Sequence, residues 1–267
     1  MRVEDLTDFF KVRRLAGNPW EVVRFRKGQR KGDLLHVRMH DGHPLFVRGG
    51  CADYHMFHRI FLRDEYRVNR ATPGSWSWVV DLGANVGMFA ARAARLARNV
   101  VACEPIAVNF AQLTKNVEGR AGVTPLKVAV AGEPGTLKIF RPEAQSNRTG
   151  SFSAFKAPDA ALTDDYEEVP ATTLDALFEE HGIDRCDLLK IDIEGAEYDV
   201  LHAASEATFA KVQRIHGEYH DVRPEDPRTR IEAFLRFLRD KGFQLEIEPH
   251  RRKPNFGMFF GARPDAV

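Results

Sequence analysis

The chain lacks the marks of a secreted, zinc-binding or membrane protein. It has three cysteines, Cys51, Cys103 and Cys186, and none lies close to another in the sequence. That spacing excludes a disulfide framework and a Cys-x-x-Cys metal site, and it is typical of a reducing compartment. No apolar run approaches the roughly 18 residues that a bilayer span needs. Residues 1–10 are too charged for a secretory signal. We therefore predict a cytoplasmic protein without a membrane partner.

A strong charge of either sign is also missing. Lys plus Arg number 39 against 38 for Asp plus Glu, so the formal net charge is +1. Without a global positive field, we expect no nucleic-acid partner and favour a small substrate. With 267 residues and 43% hydrophobic content, the chain is long enough for one large α/β domain and a small addition.

One segment, V-V-D-L-G-A-N-V-G over residues 79–87, is more informative than any other. An apolar strand ends at Asp81, a glycine-rich turn follows, and an amphipathic helix begins directly after it. A second apolar strand then ends at Glu104. This succession is how a Rossmann-like fold holds a nucleoside cofactor at a helix N-terminus, with the later acid accepting hydrogen bonds from the ribose hydroxyls.

The turn does not have the Gly-x-Gly-x-x-Gly pattern of dinucleotide enzymes. Counted from Gly83, the second and third glycine positions of that pattern are occupied by Asn85 and Met88. The glycines present are Gly83 and Gly87, with Asp81 two residues ahead of the first. An acid before such a turn resembles the first motif of S-adenosylmethionine-dependent methyltransferases. A dinucleotide oxidoreductase is thereby disfavoured, although it remains an alternative.

Three motifs together resemble one family. They are D-L-G-A-N-V-G-M-F, C-E-P-I-A-V-N-F-A-Q-L-T-K-N and K-I-D-I-E-G-A-E-Y-D-V-L, which begin at residues 81, 103 and 190. In this order they resemble the FkbM family of methyltransferases, over about residues 52–264. The resemblance implies a class I methyltransferase fold, S-adenosyl-L-methionine as cofactor, and O-methylation of a small hydroxylated metabolite such as a sugar or polyketide. A non-catalytic cofactor-binding protein is a further alternative.

The pattern along the chain predicts an α/β fold. From residue 76 onward, strands alternate with helices, which indicates a Rossmann-like sheet of seven strands with helices on both faces. We predict strands over residues 79–82, 100–103, 126–130, 187–191, 213–217, 243–247 and 256–261, the last two forming a hairpin. Helices are predicted over residues 86–96, 107–117, 174–181, 197–209 and 229–241.

Two regions lie outside this alternation. Residues 1–75 are predicted to form a small β-rich N-terminal addition, with strands in residues 20–26 and 34–47 and a lead-in helix over 53–66, ahead of the methyltransferase domain at residues 76–267. Residues 137–140 form an extra strand in this interpretation. Residues 146–155 are predicted to be either a lid over the site or a surface loop without a role.

Ligands of open α/β sheets bind beyond the carboxyl ends of the strands. On this basis the expected cofactor-binding residues are Asp81, Gly83, Ala84, Asn85, Gly87, Glu104, Pro105, Ala129 and Asp192. Methyl transfer to a hydroxyl also needs a group that takes up the proton, and the candidates are Asp192, Glu218 and His220. Lys190 is expected to neutralise Asp192 or Glu218. No metal is expected, although Asp192 and Glu218 together could hold a magnesium ion. The sequence does not address the oligomeric state.

Overall fold

The computed structural model describes residues 3–142, 162–220, 230–250 and 256–266. The helices are α1 Val3–Arg13, α2 Pro19–Gly28, α3 Asp53–Phe57, α4 Met88–Ala93, α5 Ala107–Val117, α6 Leu174–Glu180, α7 Glu197–Ala203, α8 Glu206–Lys211 and α9 Ile231–Asp240, with a π-helical turn at His58–Leu62. The strands are β1 Leu34–Val37, β2 Leu45–Arg48, β3 Trp76–Leu82, β4 Ala97–Cys103, β5 Val123–Leu126, β6 Ala129–Val130, β7 Gly135–Pro142, β8 Leu162–Thr172, β9 Leu188–Ile191, β10 Arg214–His220, β11 Gln244–Pro249 and β12 Phe256–Ala262.

The main sheet has seven strands in the order β11-β12-β10-β9-β3-β4-β5. The five strands from β10 to β5 are parallel, and β12 runs antiparallel between β10 and β11. The chain winds outward from β3 in both directions, so the switch point for ligand binding lies at the ends of β3, β4 and β9. This topology confirms the predicted fold class, including the final antiparallel hairpin.

The central strands are buried on both faces, as their continuous apolar runs require. All four residues of β9 are buried, including its one charged residue, Lys190. Two apolar clusters lie on the two faces of the sheet: one contains Val79, Val100 and the N-terminal helices, and the other contains Val80, Val101 and helices α6 to α9. No helix in the described part of the chain has both the length and the hydropathy of a membrane span.

The N-terminal addition is more helical than predicted. The prediction of a strand over residues 20–26 is wrong, because this segment lies in helix α2. Its alternation of apolar residues is incidental, and the buried neighbours Val22 and Val23 belong to one helical face. The signal that identifies the helix is Asn18-Pro19, since proline is favoured at the first helical position. The predicted hairpin is confirmed as β1 and β2, which pair antiparallel.

Other elements also differ from the prediction. The strand over residues 126–130 is divided, because β5 ends at Leu126 in the main sheet while β6 joins a second sheet with β7 and β8. The helix over residues 197–209 is two helices, since the Ser205 side chain accepts a hydrogen bond from the Thr208 amide and begins α8. Strand β8 was missed, although the extra strand over residues 137–140 is confirmed as part of β7. The predicted lid segment, residues 146–155, lies outside the described residues.

The addition packs closely on the sheet. Val12, Val22, Val47 and Phe57 belong to the same apolar cluster as Val79 of β3. The hydrophobic core does not divide at residue 75, so the domain boundary there stays a prediction from the sequence.

Candidate active site

The glycine-rich turn after β3 has a backbone that few residues can adopt. Gly83 and Gly87 have φ values of +75° and +81°, in the left-handed region that favours glycine. A Cβ atom on Gly83 would lie 1.9 Å from the carbonyl oxygen of Asp192, and one on Gly87 would lie 2.7 Å from Leu113 Cδ1. The two glycines let the turn approach β9 on one side and α5 on the other. Asn85, between them, also has a positive φ of 49°.

Asp81 lies beneath this turn and is fully buried. Its Oδ1 is 3.0 Å from Lys190 Nζ, on the neighbouring strand. The same ammonium donates hydrogen bonds to the carbonyl oxygens of Leu82 and Gly83, at 3.2 and 2.7 Å. Burial raises the pKa of Asp81, and the charge of Lys190 opposes this. Lys190 thus forms its ion pair with Asp81, rather than with Asp192 or Glu218 as expected.

Glu104 meets the turn from the end of β4. Its Oε2 accepts a hydrogen bond from the Asn85 amide at 2.9 Å, and its Oε1 accepts one from the Ile106 amide at 3.0 Å. Burial raises the pKa of Glu104 to about 7, against the opposing effect of these two bonds. The carboxylate is therefore fixed beside Asn85, where a ribose is expected in a cofactor-binding fold of this kind.

Of the other residues expected at the cofactor, Ala84 is buried and Pro105 is half-buried beside Glu104. The Ala84 amide donates to the Cys103 carbonyl at 2.9 Å, so it supports the turn. Ala129 lies in β6 of the second sheet, buried in a small apolar cluster with Ile106. Their contact with a cofactor stays a prediction.

Asp192 is the acid at the end of β9. Its Oδ2 accepts a hydrogen bond of 2.8 Å from the hydroxyl of Tyr66, which reaches it from the N-terminal addition. Burial alone would raise the pKa of Asp192. The positive charges of Lys190, His220 and Arg59 outweigh burial, and together with the bond from Tyr66 they hold this pKa below its usual value. Asp192 is therefore ionised at neutral pH.

A second residue of the addition, Arg59 in the π-helical turn, holds Glu218. The Nη2 atom of Arg59 lies 3.1 Å from Glu218 Oε2, and its Nε bonds to Glu65. Glu218 is thereby paired with a positive charge. Neither contact could be predicted from the sequence, because Arg59 and Tyr66 lie more than a hundred residues from their partners.

His220, at the end of β10, is 3% exposed in its side chain and lies between two glutamates. Its Nδ1 is 2.9 Å from Glu197 Oε1, and its Nε2 is 3.5 Å from Glu194 Oε2. Burial lowers the pKa of His220, but the charges of Glu197, Glu194 and Glu218 raise it well above its usual value. Glu197 also accepts the amides of Ile193 and Gly195. Sequence analysis missed Glu197, whose position suggested only the start of a helix.

The donor atoms of Asp192, Glu197 and His220 lie within 4.8 Å of one another. A divalent ion could in principle bind at this spacing. Each side chain already has a hydrogen-bond or ionic partner, however, and both Glu197 oxygens accept backbone amides. The group is therefore complete as a hydrogen-bonded network. The alternative pair of magnesium ligands was Asp192 with Glu218. Glu218 is instead paired with Arg59, so a site without a metal stays the prediction.

Two cavities adjoin the turn. A small one of about 10 Å³, large enough for no more than one water, lies between the turn and Met56, Ile60 and Tyr66 of the addition. A larger groove of about 850 Å³ begins at Asn85 and runs between the addition and helix α5. It is lined by Lys31, Gly32, Asp33, Leu34, Arg48, Gly49, Gly50, Cys51, Ala52, Asp53, Asn85, Val108, Asn109, Gln112, Lys115 and Arg141.

The glycine-rich turn after β3 and the acid Glu104 at the end of β4 agree with the comparison to known proteins. The model of the methyltransferase FkbM domain matches residues 81–245. The chain belongs to the FkbM methyltransferase family. This membership confirms the resemblance seen in the three motifs and S-adenosyl-L-methionine as the cofactor, and it sets aside the dinucleotide oxidoreductase.

Curated relatives are distant and differ in size. The chain is 31% identical to the 31-O-demethyl-FK506 methyltransferase FkbM of Streptomyces tacrolimicus over 54% of this chain and 65% of that protein. It is 28% identical to methyltransferase sdnD of Sordaria araneosa over 70% of this chain and 82% of that protein. A match to the AMB antimetabolite synthetase AmbE of Pseudomonas aeruginosa, also 28% identical, covers 80% of this chain but only 12% of the relative's length.

Solved structures are similar at low identity. The Methanococcus jannaschii fibrillarin pre-rRNA processing protein aligns with a TM-score of 0.49 and 12% identity, over 89% of this chain and 85% of that one.

The residues present suit the cofactor on structural grounds. A Cβ atom on Gly83 or Gly87 would collide with the Asp192 backbone or with Leu113, so only glycines allow the turn to pack this closely between them. A buried carboxylate, Glu104, is fixed beside the turn, and an ionised one, Asp192, follows β9 on the other side of β3. The first suits hydroxyl groups, and the second suits a positive charge.

Proposed function

We propose that this FkbM-family methyltransferase transfers a methyl group to a hydroxyl oxygen of a small metabolite. The observation that carries the proposal is the set of acids that follow β9 and end β10, next to the cofactor turn. A hydroxyl needs a nearby group to take up its proton as the new bond forms. The cofactor, when bound, supplies a methyl group already activated on a sulfonium.

The residues of this chain divide the work. Glu104 is proposed to bind the ribose hydroxyls, and Gly83, Asn85 and Gly87 to admit the cofactor above the turn. Asp192, ionised and fixed by Tyr66, is proposed to face the positive end of the cofactor. Asp192, Glu218 and His220 are the catalytic candidates proposed from the sequence. Their contacts differ: Arg59 lies 3.1 Å from Glu218, and His220 lies between Glu194 and Glu197.

Support for a small acceptor comes from the relatives and from charge. The Streptomyces tacrolimicus relative is named as a 31-O-demethyl-FK506 methyltransferase, and the net charge of +1 offers no broad attraction for a nucleic acid. The groove of about 850 Å³ beside Asn85 is in the size range of small-molecule sites. We propose a cytoplasmic enzyme acting on such a metabolite.

The test has two steps. Calorimetric titration with S-adenosylmethionine, S-adenosylhomocysteine and NADH should show binding of the first two only. Formation of S-adenosylhomocysteine is then measured over a panel of methyl glycosides, macrolactone alcohols, phenols, primary amines and a structured RNA. Turnover with hydroxylated small molecules is expected. Cofactor binding with turnover only on amines or RNA would refute the acceptor class, and turnover on nothing would favour a non-catalytic protein.

A further inference from the structure

Three side chains form a row from the buried interior toward the protein surface. Glu197 is fully buried, His220 lies next at 2.9 Å, and Glu194 follows, 3.5 Å from the other ring nitrogen. The exposed fractions of the three side chains are 0%, 3% and 32%. Glu194 is therefore the member of the row that a hydroxyl group can reach from solvent, because His220 is enclosed behind it.

We propose that Glu194 is the catalytic group that takes up the acceptor proton, and that His220 and Glu197 are positioning residues behind it. This inference rests on the proposed function. It assigns proton uptake to a residue outside the three candidates Asp192, Glu218 and His220, and it adds Glu197 as a positioning residue.

The backbone supports this assignment independently. Glu194 has a φ of 54°, in the left-handed region that a residue with a Cβ seldom adopts. Such conformations persist only where the surroundings impose them, and they are frequent at functional sites. Here Glu197 fixes the turn on both sides of Glu194 by accepting the amides of Ile193 and Gly195. The same carboxylate thus holds His220 and shapes the turn that carries Glu194.

The competing acids are less suited to the task. Asp192 is held ionised, with a lowered pKa, by neighbouring positive charges and by Tyr66, so it is a weak base. Glu218 is paired with Arg59, and its side chain is only 18% exposed. Glu194 combines the greatest exposure of the row with direct contact to His220.

The charges around Glu194 suit proton uptake near neutral pH. Burial raises the pKa of Glu194 to about 7; the negative Asp192, Glu218 and Glu197 act in the same direction, and His220 acts against them. Beyond Asp192 lie the positive Lys190 and Arg59. His220 is charged under these conditions, since its own pKa is raised. The charged ring lies 3.5 Å from Glu194 through Nε2 and has no unprotonated nitrogen that could accept a proton.

The chemical step balances with these groups. The acceptor oxygen forms a bond to the methyl carbon while the carbon–sulfur bond breaks. The electron pair of that bond stays on sulfur, which becomes a neutral thioether. The hydroxyl proton passes to a carboxylate oxygen of Glu194, and the neutral acid later releases the proton to water.

The first test needs no acceptor. Carboxyl-¹³C NMR of protein labelled at glutamate identifies the Glu194 signal by its absence in Glu194→Gln. We expect this signal to titrate near pH 7, and to titrate at a higher pH in His220→Gln, because a positive charge has been removed. A titration near the ordinary glutamate value of about 4.3, or one unchanged in His220→Gln, would overturn the inference.

The second test uses the panel acceptor with the highest turnover. Glu194→Gln should lower kcat/KM on the order of 100-fold while affinity for S-adenosylhomocysteine is unchanged, and the acidic limb of the pH profile should disappear. Glu194→Asp should recover part of the rate. The matched control is Glu118→Gln, an exposed glutamate directly after α5, at the end opposite the crevice.

The outcomes separate the two proposals. Full activity in Glu194→Gln would refute the role of Glu194 and leave the methyltransferase function intact. Loss of wild-type activity in EDTA, restored by a divalent ion, would instead make the acids a metal site. An inactive wild type on every acceptor would count against the proposed function, and the NMR titration would then decide the state of Glu194 alone.

Discussion

Replacing Lys190 by methionine should destabilise the protein strongly, because it leaves a carboxylate buried without a counter-charge. Asp81 is 0% and Lys190 3% exposed, and their charged atoms lie 3.0 Å apart. Breaking a buried ion pair by removing one partner costs about 3–5 kcal/mol. The loss also leaves the Leu82 and Gly83 carbonyls without their ammonium donor.

The assay is unfolding at pH 8 monitored by circular dichroism, in urea for the free energy of unfolding and by heating for Tm. For a domain of this size, about 3–5 kcal/mol corresponds to a fall in Tm of about 6–20 °C. The control is Lys138→Met, whose exposed ammonium lies 3.9 Å from Glu168 at the surface, and which should leave the free energy of unfolding nearly unchanged. The double variant Asp81→Asn/Lys190→Met should recover about 2 kcal/mol, because no charge then remains buried.

The pH dependence gives an independent check with a definite sign. Burial already raises the pKa of Asp81, and removing Lys190 raises it further. With a folded pKa above the unfolded one, the neutral acid is favoured in the folded state, so the deficit is full above the folded pKa and fades toward pH 4. A deficit below about 1 kcal/mol at pH 8, or additive effects in the double variant, would refute the reasoning.

Two further predictions follow from other buried groups. Glu104→Gln should weaken S-adenosylhomocysteine binding at least about tenfold by calorimetry. The pKa of Glu104 is raised to about 7 in the folded protein, so its contribution to stability is complete below the unfolded pKa of 4.5 and is lost as the pH rises to about 7. The wild type should therefore lose stability over this pH range, and Glu104→Gln should not. Unchanged affinity for S-adenosylhomocysteine would contradict the proposed role of Glu104 in ribose binding. Arg120→Met should lower the free energy of unfolding by about 2–4 kcal/mol and speed proteolysis within residues 1–50. The reason is that buried Arg120 donates hydrogen bonds to Asp41 and to the His43 carbonyl at 2.9 Å each. An unchanged cleavage rate would show that these bonds do not hold the β1–β2 hairpin in place.

The sequence predicted best where one local pattern determined the structure. Helix α5 begins and ends at the predicted residues, Ala107 and Val117, since its apolar period is regular. Strands β9 and β12 overlap the ranges predicted for them, residues 187–191 and 256–261. The failures have local causes too: Asn18-Pro19 was overlooked as a helix start, and β8 is an acidic segment, L-T-D-D-Y-E-E-V-P-A-T, with few of the residues that favour strands.

Within the site, what escaped prediction is pairing across strands and elements. Asp81 and Lys190 are opposite each other in the parallel register of β3 and β9. This register cannot be predicted from the sequence of either strand alone. The contact of Tyr66 with Asp192 likewise depends on how the addition folds back over the sheet. Motif spacing located the crevice, but it could not assign partners to the acids within it.

The origin of these partners bears on how the enzyme selects its acceptor. The family domain covers residues 81–245, and it contains the cofactor turn, Glu104 and the row of acids. Tyr66 and Arg59, which fix two of those acids, precede it in the chain, as do most residues that line the large groove. We therefore propose that the shared domain carries out the methyl transfer and that the N-terminal addition, which supplies most of the groove lining, contacts the acceptor. On this proposal, a substitution in the groove lining of the addition should alter the acceptor KM before it alters cofactor binding.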